Sequence, residues 1–300
     1  MIHIIGFYPY VEKRVYAQNE DGNFKPIKIT YVLGNEALTC FSHMHLLDTD
    51  AKLYIMIGKN ARRFTGTKAD MHVLESNVQT SVATCFIVDD EKFNFYQDPL
   101  YSISRNEQAI YTSYVQAHIE TQDVVVLCER VGQMDIDLFS HMYAHLYNQE
   151  VVLICSLSTV YHEVLRKKKC EVLLLSKQQI MDDHNMEYAR ETDIVSILAE
   201  YANLAKIIVV SMHAHKMLIV IDKKLCKVEY TKSERVYEDG DYLGAMLAGA
   251  AACYEKAEDL QSFAQMMLAL SVGASLSRGL YVVQEEVLNE IKDNSRLTVI

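Results

Sequence analysis

The segment Tyr237-Glu238-Asp239-Gly240-Asp241 is followed directly by a run of small, mostly apolar residues over positions 242–254. Alanine and glycine let a helix approach its neighbours closely, so this run predicts a tightly packed helix near the C-terminal end of the chain. Aspartate is favoured at a helix N-cap, and Asp241 is therefore a candidate cap for this helix. Glu238 and Asp239 add two carboxylates to a loop whose following backbone N–H groups attract anions.

Short runs rich in β-branched residues alternate with helical patterns along most of the 300-residue chain. Such an alternation predicts βαβ units, and hence a mainly parallel sheet with helices on both faces. Residues 1–6 are typical of a first strand and form too short an apolar run for a signal peptide. Because no internal repeat or Pro/Gly-rich linker interrupts the pattern, we expect one three-layer α/β domain over residues 1–300. The predicted strands cover residues 52–57, 124–128, 151–155, 172–175 and 207–211, and the predicted helices cover residues 135–147, 192–205 and 260–275.

Two regions depart from this alternation. Residues 11–18 and 24–31 flank the dipeptide Asp21-Gly22, a strong turn signal, and predict a hairpin over residues 11–31. A second hairpin is predicted over residues 81–97, where two strand-like runs flank three consecutive acids. Two hairpins beside an α/β domain predict a small β lid. The alternative is that they form edge strands of the main sheet.

Composition excludes several classes of partner. The net charge of −11 argues against nucleic acid and anionic membranes, which both require a basic surface. The longest run of small apolar residues is well short of the roughly 20 residues that a membrane span needs. The seven cysteines are widely spaced, with no Cys-x-x-Cys pair, which is typical of reduced thiols. These features together predict a cytoplasmic protein.

The ends of two predicted elements carry the first recognisable motifs. Residues 7–12 read Phe-Tyr-Pro-Tyr-Val-Glu and end on Glu12, and residues 34–39 read Gly-Asn-Glu-Ala-Leu-Thr. In order and spacing the chain resembles the ribokinase-like (PfkB) carbohydrate kinases, nearest the branch of 1-phosphofructokinase and tagatose-6-phosphate kinase. The resemblance implies a three-layer Rossmann-like ribokinase fold, with Glu12, Gly34 and Asn35 at the substrate. The lysine of the family's Gly-Gly-Lys-Gly motif is replaced by Glu36, which reverses a charge beside an expected phosphorylated sugar.

The same resemblance gives the segment before the small-residue helix a catalytic meaning. The family pattern there is Gly-Ala-Gly-Asp, in which exposed N–H groups stabilise the transferring phosphoryl group and the aspartate is the general base. Gly240 and Asp241 match this pattern, and Asp241 is the predicted base, with an N-cap role as the alternative. Glu238 and Asp239 replace small residues of this anion-hole loop. Each added like-charge contact costs roughly 1–4 kcal/mol in a partly buried site.

On the nucleotide side the resemblance implies two binding residues, Lys177 and Ser211. The family's Lys-Pro-Asn-x-x-Glu segment, which orders the metal and phosphate site, corresponds to residues 175–180, and these residues contain no acid that could reach magnesium through water. Both glycines of the family's Ser/Thr-x-Gly-x-x-Gly strand are missing from residues 211–216, and the Ser-Gly-Ser-Leu-Pro motif is replaced over residues 128–132. If the kinase is active, Lys177 or Lys216 must supply the phosphate contacts.

We therefore hold two hypotheses of function. The first is a degenerate sugar-phosphate kinase homologue, weak or inactive in phosphoryl transfer, that binds a small metabolite or a partner. The alternative is an active ATP- and magnesium-dependent kinase that uses Asp241 as base, with a sugar phosphate as substrate. Under either hypothesis the resemblance implies a homodimer through the lid, and a scaffold held only by that dimer is a third interpretation.

Paired histidines are weaker signals. His141 and His145 have the i, i+4 spacing of helical metal ligands, but no third ligand is near in sequence, so a surface pair is expected. Residues 43–45 and 213–215 both read His-x-His in strand-like segments and predict solvent-facing pairs. The sequence therefore predicts no metal centre built from histidine.

Overall fold

A computed structural model describes residues 1–20, 23–64, 70–88, 91–97, 103–129, 134–232, 242–256, 258–276 and 285–300. Over these residues the main sheet has ten strands in the order β14-β13-β12-β11-β10-β9-β8-β1-β4-β5. The strands from β5 to β11 in this order are parallel, and β12, β13 and β14 continue the sheet in antiparallel pairs. The predicted mainly parallel sheet is confirmed. The main-sheet strands are β1 Ile2–Gly6, β4 Ala51–Gly58, β5 Met71–Ser76, β8 Val124–Glu129, β9 Val152–Leu157, β10 Cys170–Ser176, β11 Ala205–His213, β12 Lys216–Ile221, β13 Lys224–Tyr230 and β14 Ser295–Val299.

The two predicted hairpins form a separate sheet, here called the lid sheet. Its strands are β2 Tyr10–Glu20, β3 Asn23–Gly34, β6 Val82–Val88 and β7 Glu91–Gln97, in the order β3-β2-β6-β7. Each hairpin is antiparallel, and β2 joins them by pairing in parallel with β6. The alternative of edge strands in the main sheet is therefore wrong. Residues 21–22 and 89–90, at the two predicted turns, lie outside the described residues.

Helices cover both faces of the main sheet. On one face α1, α7, α8 and α9 share a core with alternate strand residues such as Leu53 and Ile55, while Tyr54 and Met56 belong to the core beneath α2 to α6. This two-sided burial follows from the period-2 alternation of side chains along a strand. None of the described helices is both long and apolar enough to cross a membrane. The helices are α1 Glu36–Leu46, α2 Arg105–Gln116, α3 Ile136–Asn148, α4 His162–Lys167, α5 Lys177–Asp183, α6 Glu191–Tyr201, α7 Tyr242–Glu255, α8 Leu260–Ser275 and α9 Glu285–Asp293, with 3-10 turns at Lys59–Phe64 and Thr159–Tyr161.

The small-residue run forms helix α7, and its packing explains its composition. Residues 243–253 of this helix are all buried. A Cβ atom on Gly244 would lie 2.6 Å from the Glu36 carbonyl oxygen, and one on Gly249 would lie 3.1 Å from the Met267 Cα. Glycine at both positions thus lets α7 approach α1 on one side and α8 on the other.

Two sequence predictions about local structure are wrong. The helix predicted over residues 192–205 ends at Tyr201, because residues 202–204 turn and Ala205 already begins strand β11. The His-x-His run at residues 43–45 lies in helix α1, where His43 is buried and its Nδ1 is 2.8 Å from the Thr39 carbonyl oxygen. The helical period places His43 and His45 in different surroundings, so they are not a solvent-facing pair. His141 and His145 are exposed on helix α3, as predicted.

Candidate functional site

A cavity of about 530 Å³ opens at the carboxyl edge of the parallel strands. In open α/β sheets this edge is the usual place for ligands, because loops and helix N-termini converge there. The residues of the cavity wall come from the segment after β1, the start of α1, the end of β8, the segment after β9 and helix α5. They are Phe7, Tyr8, Tyr10, Asn35, Glu36, Cys128, Glu129, Ser158, Thr159, Gln178, Gln179, Asp182 and Asp183.

Strand register brings the segment after β1 next to the end of β8 in the cavity wall. Gly6 pairs with Cys128 where β1 and β8 run side by side, so Phe7 and Glu129 each follow a paired position. The backbone N–H of Ser158 donates a 2.8 Å hydrogen bond to the Glu129 carbonyl oxygen and holds the segment after β9 against the end of β8. The Glu129 side chain is buried at this edge, with the residue 6% exposed.

Asn35 and Gly34 connect the lid sheet to the cavity. The Asn35 side-chain oxygen accepts a 2.8 Å hydrogen bond from the Leu38 N–H and caps helix α1. Gly34 ends strand β3 and pairs with Tyr10, whose ring would be 3.5 Å from a Cβ at position 34. Of these two predicted substrate residues, Asn35 lies in the cavity wall and Gly34 adjoins it through Tyr10.

Two buried tyrosines hold the segment after β1 in place. The Tyr8 hydroxyl, in the cavity wall, donates to the Gln79 carbonyl oxygen at 3.0 Å, and burial raises the pKa of Tyr8. The Tyr111 hydroxyl lies 3.1 Å from the Gly6 carbonyl oxygen and 2.9 Å from the Tyr54 carbonyl oxygen. The Tyr111 ring also packs edge-on against Phe7, with the two centroids 4.8 Å apart. These contacts hold the end of β1 and its aromatic residues in place.

The charge of the cavity wall is strongly negative. Its four carboxylates are those of Glu36, Glu129, Asp182 and Asp183, and no lysine, arginine or histidine is found among its described residues. Asp182 accepts a 2.7 Å hydrogen bond from the Gln178 amide, and Asp183 accepts a 3.0 Å hydrogen bond from the hydroxyl of a neighbouring tyrosine on α6. A sugar phosphate at this wall would face the same sign of charge as its own.

Sequence reasoning missed Glu129, Asp182 and Asp183 as residues of the cavity wall. Asp182 and Asp183 lie beyond residues 175–180, which correspond to the family's Lys-Pro-Asn-x-x-Glu segment, and Glu129 falls within residues 128–132, where the Ser-Gly-Ser-Leu-Pro motif is replaced. No motif gave these three acids a binding role, and only the carboxyl-edge rule would have found them.

Glu12 lies beside the cavity, within the lid sheet. It is 5% exposed, and it accepts hydrogen bonds from the Arg14 guanidinium at 2.8 and 3.1 Å and from the Cys85 thiol at 3.2 Å. It is not among the residues of the cavity wall. Its predicted sugar contact stays a prediction, and the structure gives its carboxylate partners inside the lid sheet.

The predicted nucleotide side lies at the ends of β10 and β11. Ser211 is buried in β11, and Lys177 begins α5 with its ammonium 5.4 Å from the centre of an exposed tyrosine ring. The rings of His213 and His215 lie with their centroids 3.9 Å apart and their planes tilted by 38°. Both residues are partly buried, so they are not the solvent-facing pair predicted. Burial, followed by His215, Lys216 and Lys177, lowers the pKa of His213 to about 4. Lys216 forms an ion pair with a glutamate at the start of α6.

The anion-hole loop that the sequence singled out, Glu238 to Asp241, lies outside the described residues, as do residues 130–133. No three Asp, Glu, His or Cys side chains of the described chain converge closely enough to hold a metal ion. A magnesium ion at the described part of the site would therefore take most of its ligands from water and substrate.

Comparison with solved structures identifies the fold. Phosphofructokinase-2 from Escherichia coli, solved with potassium, superposes with a TM-score of 0.83 over 97% of this chain and 98% of its own, at 15% sequence identity. The same protein solved with fructose-6-phosphate gives a TM-score of 0.80 with the same coverage and identity. A nucleoside kinase from Burkholderia thailandensis, solved with inosine, gives a TM-score of 0.67 over 98% of both chains at 11% identity.

The fold is ribokinase-like. No family model matches the chain, and no curated protein matches it in sequence. At identities of 11–15% the structural likeness establishes the architecture that the motifs predicted. The assignment to one branch of the family stays a prediction.

Proposed function

We propose that this ribokinase-like chain binds a small metabolite in the carboxyl-edge cavity and transfers phosphate to phosphorylated sugars weakly or not at all. The observation that carries the proposal is the charge of the cavity wall, which has four carboxylates and no cation among its described residues. Repulsion between one carboxylate and a phosphate costs roughly 1–4 kcal/mol at a few ångströms, and 3 kcal/mol is about a hundredfold in rate. All seven cysteines lie in the described part of the chain, where they are buried and form no disulfide, which fits the proposed cytoplasmic location.

Calorimetry and a turnover assay test this proposal together. The protein would be titrated with magnesium-ATP alone and with fructose 1-phosphate or tagatose 6-phosphate present, and ADP release would be followed in the same mixtures. We expect no ADP release that depends on either sugar phosphate. Steady, sugar-phosphate-dependent ADP production would refute the proposal.

The second candidate is an active kinase, and the match of Gly240 and Asp241 to the family's Gly-Ala-Gly-Asp pattern favours it. In this mechanism Lys177 or Lys216 contacts the nucleotide phosphates, and Asp241 takes the proton of the attacking hydroxyl. The matched test compares Asp241→Asn with Asp137→Asn, whose side chain is 70% exposed on α3. Any measured phosphoryl transfer should disappear in the first variant and persist in the second. Equal activity of the two variants would exclude Asp241 as base.

We further propose that the lid sheet forms a homodimer contact. Ile27, Ile29 and Tyr31 alternate along edge strand β3, and they are 65%, 50% and 47% exposed. Apolar residues grouped on one strand mark an interaction surface more strongly than single exposed residues do. Ile27→Lys should shift a dimer to monomer in sedimentation velocity, while Ile110→Lys, at an exposed isoleucine of α2, should leave it unchanged. A wild-type protein that sediments as a monomer at micromolar concentration would contradict this proposal.

A further inference from the structure

Histidine and tyrosine side chains form a cluster where edge strand β5 meets helix α2, and none of them belongs to the cavity wall. His72 stands in β5 and pairs in register with Tyr54 of β4. Tyr114 lies in the last turn of α2, and His118 follows that helix. We propose that His72 and His118 together bind a divalent transition-metal ion such as zinc. This site does not depend on the proposed function of the cavity.

The separation of the two imidazoles suits a shared metal ion. Zinc lies about 2.0–2.1 Å from a histidine nitrogen, which places the ion about 3.2 Å from the ring centroid, and two rings bound at a tetrahedral angle then have centroids about 5.2 Å apart. The centroids of His72 and His118 are 5.5 Å apart. Those of His213 and His215 are 3.9 Å apart, which is closer than this arrangement allows. Ring separation therefore distinguishes the first pair from the second.

One tyrosine orients both imidazoles. The Nδ1 of His72 lies 2.8 Å from the Tyr114 hydroxyl oxygen, and the Nδ1 of His118 lies 2.8 Å from the Tyr114 carbonyl oxygen. A histidine that binds a metal usually donates its second ring N–H to such an oxygen, which fixes the tautomer and presents Nε2 to the ion. The His72 ring also stacks on Tyr54, with the centroids 4.8 Å and the planes 12° apart. The pair thus has the supporting contacts that a metal site requires.

The Nε2 atoms of His72 and His118 are available to a ligand. Neither atom has a hydrogen-bond or ion-pair partner in the described part of the chain, and both residues are partly exposed. Of the charged side chains that act on His72, Lys52 disfavours a cation and Asp70 favours one, so their effects oppose each other. Since no third Asp, Glu, His or Cys among the described residues joins the pair, water would complete the coordination of the ion.

Isothermal titration of the full chain with zinc chloride at neutral pH tests the proposal. His72→Gln and His118→Gln each remove a ligand and should weaken zinc binding by at least about tenfold. Tyr114→Phe keeps both imidazoles but removes the hydroxyl beside His72, and it should weaken binding by about tenfold, the lower end of the effect expected for such a supporting contact. Circular dichroism checks the fold of each variant. If His72→Gln fails to fold, His118→Gln, beyond the end of α2, carries the test.

The exposed pair His141 and His145 on α3 is the matched control, because its i, i+4 spacing can also chelate a metal. The double variant His141→Gln/His145→Gln should keep the zinc affinity of the wild type. Loss of zinc binding in this double variant, together with unchanged affinity in His72→Gln, would overturn the inference. So would a wild-type protein that binds no zinc at millimolar concentration.

Discussion

Gly244→Ala is expected to destabilise the protein although alanine is the better helix former. Gly244 lies in α7 where that helix crosses α1, and an added Cβ would be 2.6 Å from the Glu36 carbonyl oxygen and 2.7 Å from the Thr39 Cβ. The closer of these atoms belongs to the backbone, so no rotamer change can relieve the contact. Helix α1, whose first turn lines the cavity, must instead move away from α7.

The magnitude follows from two opposing terms. Replacing glycine by alanine inside a helix stabilises it by about 1 kcal/mol. Overpacking a buried contact costs about 1–3 kcal/mol, and an overlap with a backbone carbonyl belongs at the upper end. The net loss for Gly244→Ala is then about 2 kcal/mol. Gly249→Ala is the matched control, because its Cβ would be 3.1 Å from the Met267 Cα, a tight contact that a small shift relieves. The two terms nearly cancel there.

Urea unfolding monitored by circular dichroism measures both variants under the same conditions. We expect Gly244→Ala to be less stable than Gly249→Ala by at least about 1 kcal/mol, with similar m-values. Since both substitutions gain the same helix propensity, the difference isolates packing against α1. A Gly244→Ala variant as stable as Gly249→Ala would show that the α1–α7 contact is looser than described and that Gly244 is not required there.

Two further predictions concern Tyr111, which packs against Phe7 of the cavity wall, and His213, on the predicted nucleotide side. Tyr111→Phe removes a hydroxyl that lies 3.1 and 2.9 Å from two buried carbonyl oxygens. It should lower the free energy of unfolding, measured in urea, by about 1–3 kcal/mol. The control Tyr147→Phe, at an exposed residue, should lower it by less than about 0.5 kcal/mol. Equal losses would contradict this role of the Tyr111 hydroxyl. His213 has a folded-state pKa of about 4, below its ordinary value of 6.5, so the unfolded chain binds more protons between these values and stability falls as the pH drops from 6.5 toward 4. His213→Gln should reduce this loss of stability by up to about 1.4 kcal/mol per pH unit, whereas the exposed-site variant His141→Gln should leave it unchanged. If the stability of wild type and His213→Gln falls in parallel with pH, the burial argument is refuted.

The sequence predicted most of the architecture because two local signals were unambiguous. Short β-branched runs located β4, β8, β10 and β11, and helix α8 was predicted over the residues that it occupies. The Asp21-Gly22 turn predicted the first hairpin. The end of α6 was missed because residues up to Ala205 have good helix propensity, and only the pairing of β11 with β10 takes Ala205 into the sheet.

The site was less predictable because its residues are separated in sequence and meet only at the sheet edge. Asn35 was found through a motif and does lie in the cavity wall, where its capping role was not anticipated. No motif gave Glu129 or Asp183 a binding role, and their place in one cavity wall depends on the order of β1, β8, β9 and β10 in the sheet. Sequence spacing cannot supply that order, whereas a register such as Gly6 against Cys128 does.

The stability of the fold and the chemistry of the cavity depend on different residues. The contacts that hold the fold lie in the core, as in the packing of Gly244 against α1, where almost any change costs stability. The described cavity wall is built from residues at strand ends and helix starts, such as Glu129 and Glu36, and a change of charge at these positions opens no cavity in the core. Substitutions in the wall can therefore change the ligand while the architecture persists, so a shared fold does not by itself identify what the cavity binds.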